Sequence, residues 1–488
     1  MTAAVLSHDA PARARNGPKG LPLLGVAGQV KADPLNFFAG IARSYSGIVD
    51  LPIGTENVLL LNEPSLIEHV LQSNWRNYRK SDFYEKARPL FGNGLATSEG
   101  DFWRRQRRLS QPAFHRDALK QMTNVMRTGT SAMLARWAER PGAAEIDFSE
   151  ELTRLTLDIV FECLFGSDLE DRTATVAHSV DAMLQVCERR VWAVPDLHGT
   201  PVSPQYWRHR AARKALDDIV YDIVRRRRAS GEERPDLLGM LLAARDAETG
   251  EGMSDDQLRD EVTTLLVTGH ESAANVLAWL FCSLSRHPAI ERRVREEATA
   301  AAPDGVVSDE ALTQLPYLGM VNDEVLRLYP PAWTISRTAL GDDVIGGTPV
   351  AAGTTVMVSP FVMHRNPRYW DNPEGFDPER FTPEQVASRP KYAYFPFGGG
   401  PRVCIGRGFA IKELKIVAAM VLSRYSLHML PGCKIEGEAM ISIRPKGGMR
   451  ANAFPSTAEL AELRQLRRTV AASSPHQSSL SCVRGEED

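Results

Sequence analysis

The sequence predicts a mostly helical fold with a smaller β-rich region, and three observations predict it. Apolar residues recur at helical spacing in long runs between Ala118 and Ala229 and again from Ser254 to Arg286. Strand-like alternation is short and confined to about residues 48–61, 332–338 and 435–443. Gly398-Gly399-Gly400, followed by Pro401, makes a turn that feeds one more amphipathic helix, in which Phe409, Ile411, Leu414, Val417, Ala418 and Val421 recur at helical spacing.

Composition sets the outer bounds. Hydrophobic residues make up 43% of the 488, enough for a large core, and a net charge of −3 argues against a nucleic-acid partner. The six cysteines (Cys163, Cys187, Cys282, Cys404, Cys433, Cys482) show no C-x-x-C spacing, which disfavours structural zinc and a disulfide framework and fits a reducing compartment. Met1 to Lys19 is polar and rich in Ala, Arg and Pro, without the apolar core of a signal peptide. No stretch offers the roughly 20 uninterrupted apolar residues of a membrane span. A cytoplasmic protein without a membrane anchor is expected.

In chain order, residues 1–17 read as disordered, and Pro18 to Gly25 as a stiff, turn-rich start. Ile48–Ile53 and Val58–Leu61, separated by Gly54–Asn57, read as a hairpin, and Ser65–Gln72 as a short helix. Residues 78–100 lack a clear period and read as a loop. Four or so long helices follow up to Ala229, interrupted at Val194–Pro204, with Arg225–Arg228 read as a solvated helix end. Ser254-Asp-Asp-Gln257 has capping-box spacing and opens a helix of about 32 residues that Arg286-His-Pro288 stops. Being apolar on most sides, this helix is expected to run through the core. Pro316–Leu328 is a further helix, Ala332–Thr338 alternates like a strand, and Ile435–Ile443 reads as a hairpin. A partly helical, then disordered tail is expected over 453–488, leaving one folded domain over 18–452. There is no internal repeat.

Chemistry concentrates in the glycine-rich loop. Cys404 lies just before a helix N-terminus, where free N–H groups and the helix dipole favour a thiolate, so it is a candidate metal ligand or nucleophile. It sits in the pattern Phe397-x-x-Gly400-x-Arg402-x-Cys404-x-Gly406, five fixed positions that chance supplies in only roughly one chain in several thousand. This loop resembles the haem-ligand loop of the cytochrome P450 family. The resemblance implies that Cys404 ligates the iron of haem b (iron-protoporphyrin IX). It also implies that Phe397 shields the sulfur, Arg402 pairs with a propionate and Gly406 lets the porphyrin approach.

Four other segments carry the same resemblance, in the family's order. Trp103 and Arg107, four apart on one helix face, match the W-x-x-x-R pair directed at haem propionates. Thr268-Gly-His-Glu-Ser272 breaks helix rules mid-helix and resembles the oxygen-activation segment A-G-x-(D/E)-T. That resemblance implies that Gly269 widens the helix where oxygen sits and that Glu271 belongs to a proton relay. Ser272 stands where threonine is usual, so it keeps the hydroxyl and loses the methyl that fixes its rotamer. Thr268 narrows or polarises the pocket, and His270 reads as structural. Glu324 and Arg327 match the E-x-x-R helix, joined by Arg380 of Pro378-Glu-Arg-Phe381, and Arg337 matches a third propionate contact.

The family implies a mostly α cytochrome P450 fold over about residues 18–450 and insertion of one O2-derived oxygen atom into a C–H or C=C bond of a small hydrophobic substrate. A terpene is the first expectation, with fatty acids and macrolide-like polyketides as alternatives. Neither G-x-G-x-x-G nor a cysteine cluster occurs, so electrons are expected from a separate ferredoxin or flavodoxin with its reductase. Arg104, Arg105 and Arg108 would form a basic patch for that partner. Phe83, Tyr84, Leu90, Phe91, Trp333, Thr334, Ala439 and Met440 are the expected substrate contacts. A peroxide-driven or isomerising haem-thiolate enzyme and a non-catalytic haem-binding helper are the competing classes.

Overall fold

The computed structural model describes residues 16–54, 56–139, 144–166, 168, 172–191, 203–430 and 436–455. The expected disordered N-terminus, the tail beyond Pro455 and most of the interruption at 194–204 lie outside the described residues.

The longest helix, Asp255–Arg286, organises the packing. Ser254 Oγ accepts the Gln257 N–H (3.2 Å) while Gln257 Oε1 accepts the Ser254 N–H (2.8 Å), so the expected capping box is closed. Pro288 opens the next helix, which fixes the C-terminal end. Phe148–Phe165, Arg407–Leu422, Pro204–Ser230 and Pro316–Leu328 pack around it. Helices on several sides leave it buried for most of its length, which explains why its sequence is apolar nearly all round.

The β structure sits to one side. A five-stranded sheet has the order Gly47–Ile53, Glu56–Asn62, Thr355–Val358, Ile335–Ala339, Tyr78–Lys80. The second and third strands pair in parallel and the other neighbours antiparallel. A separate three-stranded sheet joins Ala144–Asp147, Arg450–Pro455 and Tyr425–Met429. The folded chain therefore passes the boundary expected at 452.

Two expectations need correction. The segment 78–100 is no loop: Asp82–Phe91 forms a helix that buries Ala87, Leu90 and Phe91 on one face, a short amphipathic pattern obscured by its charged residues and Pro89. Arg227, placed in a solvated helix end, is buried instead. It forks onto Asp236 (2.6 and 2.8 Å), pairs with Asp168 and donates to the Phe165 carbonyl (2.8 Å).

Candidate active site

The glycine-rich loop needs its glycines. Gly398 and Gly400 take φ of 72° and 64°, and a Cβ on Gly400 would strike the Leu71 carbonyl oxygen at 1.8 Å. The loop is closed by Cys404 N–H donating to the Phe397 carbonyl (3.0 Å), and the helix Arg407–Leu422 starts directly after Gly406. The Cys404 thiol opens onto an internal cavity of about 440 Å³. Burial pushes that thiol up, while the N–H groups of Gly406 and Arg407 and the guanidinium of Arg107 pull the other way.

That single cavity gathers residues from across more than 300 positions. Trp103, Arg107, Thr268, Gly269, Glu271, Ser272, Arg337, Phe397, Arg402 and Gly406 all line it with Cys404. Arg107 donates to the Val403 carbonyl (2.9 Å) and to Gln111 (2.9 Å). Arg402 bonds to the Tyr78 carbonyl (2.8 Å) and Glu99 (2.6 Å), yet its Nε is buried without a partner. On the opposite wall, Thr268 Oγ1 donates to the Thr264 carbonyl (2.7 Å) and Ser272 Oγ to the Thr268 carbonyl (2.9 Å). His270 points away, buried, its Nδ1 bonded to the Leu266 carbonyl (2.8 Å). Phe91, Leu95, Val276, Ala332, Ile335 and Ile441 add apolar surface.

A buried lysine completes the ring of cations and had no motif to announce it. Lys80 donates to the carbonyls of Leu95 (3.0 Å) and Ser98 (2.7 Å) and lies on the same cavity wall. Burial brings its ammonium down to about 7, with Glu99 opposing and Arg337 and Arg402 adding to the fall. Lys80, Arg107, Arg337 and Arg402 thus face the cavity, where Glu99 meets Arg402 and lies 4.0 Å from Lys80. The cationic excess and the orphaned Arg402 Nε fit a ligand bearing carboxylates, and the thiol fits a soft or borderline metal such as iron. Haem b has both.

Lys80 makes that fit pH-dependent. A carboxylate binds the ammonium form, so this residue leaves affinity unchanged below pH 7. As pH rises through 7, binding must take up a proton, and affinity falls by up to roughly tenfold per pH unit. Hemin titrations of apoprotein from pH 6 to 9 should show this slope and lose it in Lys80→Met. An equal slope in both proteins contradicts the assignment.

The loop is braced from behind. Arg327 and Glu324 are fully buried and bond at 2.6 and 2.8 Å. Arg380 lies 3.5 Å from Glu324, and the Asp377 N–H also donates to it (2.8 Å). His364, absent from the sequence reading, carries the brace forward: its Nδ1 meets the Arg327 carbonyl (3.2 Å) and its Nε2 accepts the Phe395 N–H (3.0 Å). Burial and the adjacent Arg327 hold this ring neutral, as the acceptor role requires.

Several expected substrate contacts lie elsewhere. Trp333 is buried against Phe38, and its Nε1 donates to the Met440 carbonyl (3.0 Å), so it props the hairpin rather than shortening the cavity. The strand begins only at Ile335, so period-two alternation does not govern the residues before it; Ala332 and Ile335 face the cavity, and Trp333 and Thr334 do not. Tyr84 and Phe91 reach it, whereas Phe83 faces solvent and Leu90 the core. At the hairpin tip Ile441 and Ser442 line the cavity in place of Ala439 and Met440. The arginine patch is largely neutralised within the chain. Arg104 pairs with Asp101 (2.6 Å), Arg105 donates to the Gly252 carbonyl (2.9 Å), and Arg108 holds Asp246 (2.9 Å) and Glu248 (2.7 Å).

The family model described as Cytochrome P450 matches residues 16–449. Cyclooctat-9-en-7-ol 5-monooxygenase of Streptomyces melanosporofaciens is 34% identical, covering 85% of this chain and 90% of that protein. Cyclooctatin synthase of the same organism is also 34% identical, covering 87% and 92%. Pentalenene oxygenase of Streptomyces avermitilis is 32% identical, covering 88% and 95%.

Proposed function

The chain belongs to the cytochrome P450 family and is a haem-thiolate monooxygenase, and from that premise we propose that its substrate is a compact, ring-containing terpene. The carrying observation is the cavity itself, closed by Cys404 on one wall and Thr268–Ser272 on the other and otherwise lined by Phe91, Val276, Ile335, Ile441 and similar apolar groups. Two relatives are named for cyclooctat-9-en-7-ol and pentalenene, names that denote unsaturated ring skeletons.

When bound, haem b supplies the iron at which O2 is activated, and a thiolate ligand favours O–O cleavage. Cys404 presents that thiolate, and Lys80, Trp103, Arg107, Arg337 and Arg402 are the groups to hold the propionates. Gly269 lets the helix pack closely on Phe148–Phe165, since a Cβ there would come within 3.2 Å of the Val160 side chain. Glu271 and Ser272 are the groups to pass protons from the helix to the oxygen side, and the apolar wall orients the substrate and excludes bulk water. Electrons are proposed to come from a separate ferredoxin or flavodoxin and its reductase. A surface hollow beside the cysteine loop, where Lys391 and Arg407 outnumber Asp323, is the proposed docking place for that partner if its face is acidic.

Titrating the haem protein with sesquiterpenes, fatty acids and macrolides while following the Soret band tests the substrate class. A high-spin shift with the sesquiterpenes alone is expected; a shift with fatty acids alone overturns the terpene reading.

Among the described residues, no helix is long and apolar enough to cross a membrane.

A further inference from the structure

The carboxylate of Glu271 does not sit free in the cavity wall. Its Oε1 accepts a hydrogen bond from Ser442 Oγ (2.8 Å), and Ser442 Oγ in turn accepts from Asn275 Nδ2 (2.8 Å). Asn275 lies one helical turn beyond Glu271, but Ser442 is 171 residues away, in the turn between the strands Gly437–Ala439 and Ile443–Pro445. Donors therefore run one way, from amide to hydroxyl to carboxylate, across the gap between helix and hairpin.

The same hairpin turn touches the substrate space. Ile441, next to Ser442, lines the cavity, while its neighbours are pinned from outside: Trp333 Nε1 holds the Met440 carbonyl (3.0 Å) and Trp279 Nε1 the Ile443 carbonyl (3.2 Å). The Met440 N–H also bonds the Ser442 carbonyl (3.0 Å), so the turn is closed on itself and a ligand pressing on Ile441 would carry the Ser442 hydroxyl with it. Movement of several tenths of an ångström, or tilting of the hydroxyl away from the carboxylate, weakens such a bond steeply.

We propose that Ser442 is a positioning residue that ties Glu271 to the substrate-contacting hairpin, so that filling the cavity releases the carboxylate for proton delivery. It rests on the reading of Glu271 as the proton-delivering acid. The carboxylate is held by Ser442 and the Ser272 hydroxyl is turned to the Thr268 carbonyl, so both groups are engaged within the protein. Occupancy frees the first of them.

The test uses holoenzyme and 4-phenylimidazole, whose imidazole ligates haem iron while its phenyl ring fills the apolar space, so it does not depend on the natural substrate. Infrared difference spectra between ligand-free and ligand-bound protein are recorded, and the Glu271 band is identified by its absence in Glu271→Gln. The wild type should show that band shifting on binding. Ser442→Ala should show no shift, its ligand-free band already lying at the bound position, and Ser442→Thr should restore the shift. With a surrogate ferredoxin–reductase pair and no ligand, Ser442→Ala should also release about 3- to 10-fold more peroxide, the equilibrium worth of one hydrogen bond. A wild-type infrared shift in Ser442→Ala, or no Glu271 shift in the wild type, overturns the proposal. If Ser442→Ala fails to fold, Asn275→Ala, which removes the donor behind Ser442, is expected to weaken the shift and overturns the proposal if it leaves it intact.

Discussion

Replacing Arg327 by alanine should yield protein that folds poorly and carries little haem. Arg327 fills its donor capacity inside the core: two bonds to Glu324, and one each to the carbonyls of His364 (2.9 Å), Pro373 (2.6 Å) and Gly375 (2.8 Å). Removing it leaves a buried carboxylate short of its main partner and three carbonyls without a donor. The expected cost is about 3–5 kcal/mol, against a total stability of about 5–15 kcal/mol for a folded domain. Because the Arg327 guanidinium also holds the His364 carbonyl, and the His364 ring holds Phe395, the damage travels to the cysteine loop. Arg327→Lys is expected to fail almost as badly, since one ammonium cannot reproduce a planar fork that serves a carboxylate and three carbonyls. Haem per polypeptide and the thermal midpoint decide the matter. Normal values for both in Arg327→Ala would show that the brace is dispensable.

The second large effect is expected at Cys404. Cys404→Ser should abolish O2-dependent product formation while retaining part of the haem, because Lys80, Arg107, Arg337 and Arg402 still hold the carboxylate edge. The serine hydroxyl does not ionise as a thiol does, so the spectroscopic signature of thiolate ligation should vanish together with turnover. Product analysis and the spectrum of the reduced, CO-bound protein check both halves. Retained oxygenation with a changed spectrum would sever the link between the sulfur and the chemistry.

Much of this site was legible from sequence because the chemistry demands particular residue types at fixed spacings. Cys404, Arg402 and Phe397 belong to one short loop, and Trp103 with Arg107 to one helix face. Those patterns locate the cavity wall without any knowledge of tertiary structure. The central helix was legible too, through its cap and its unbroken apolar run. Lys80 and His364 were not, because a single buried cation or imidazole has no spacing to betray it; its meaning comes from groups far away in the chain. Trp333 misled for a different reason: resemblance put this bulky ring at the substrate, whereas it packs on Phe38 and holds the Met440 carbonyl. Arg105 and Arg108 look like a free basic face until Gly252, Asp246 and Glu248, some 140 residues on, are folded against them.

The crowd of positive groups around the cavity has a consequence for the life of the protein in a cell. Glu99 offsets only part of the charge of Lys80, Arg337 and Arg402, so the carboxylates of a bound cofactor are expected to add to the stability of this part of the fold. Ligation by Cys404, as proposed, would then hold the loop as well. Cofactor supply should then act as quality control: copies that have not been loaded are expected to open more often and to be the first available to proteases, so that the surviving pool is the pool able to work.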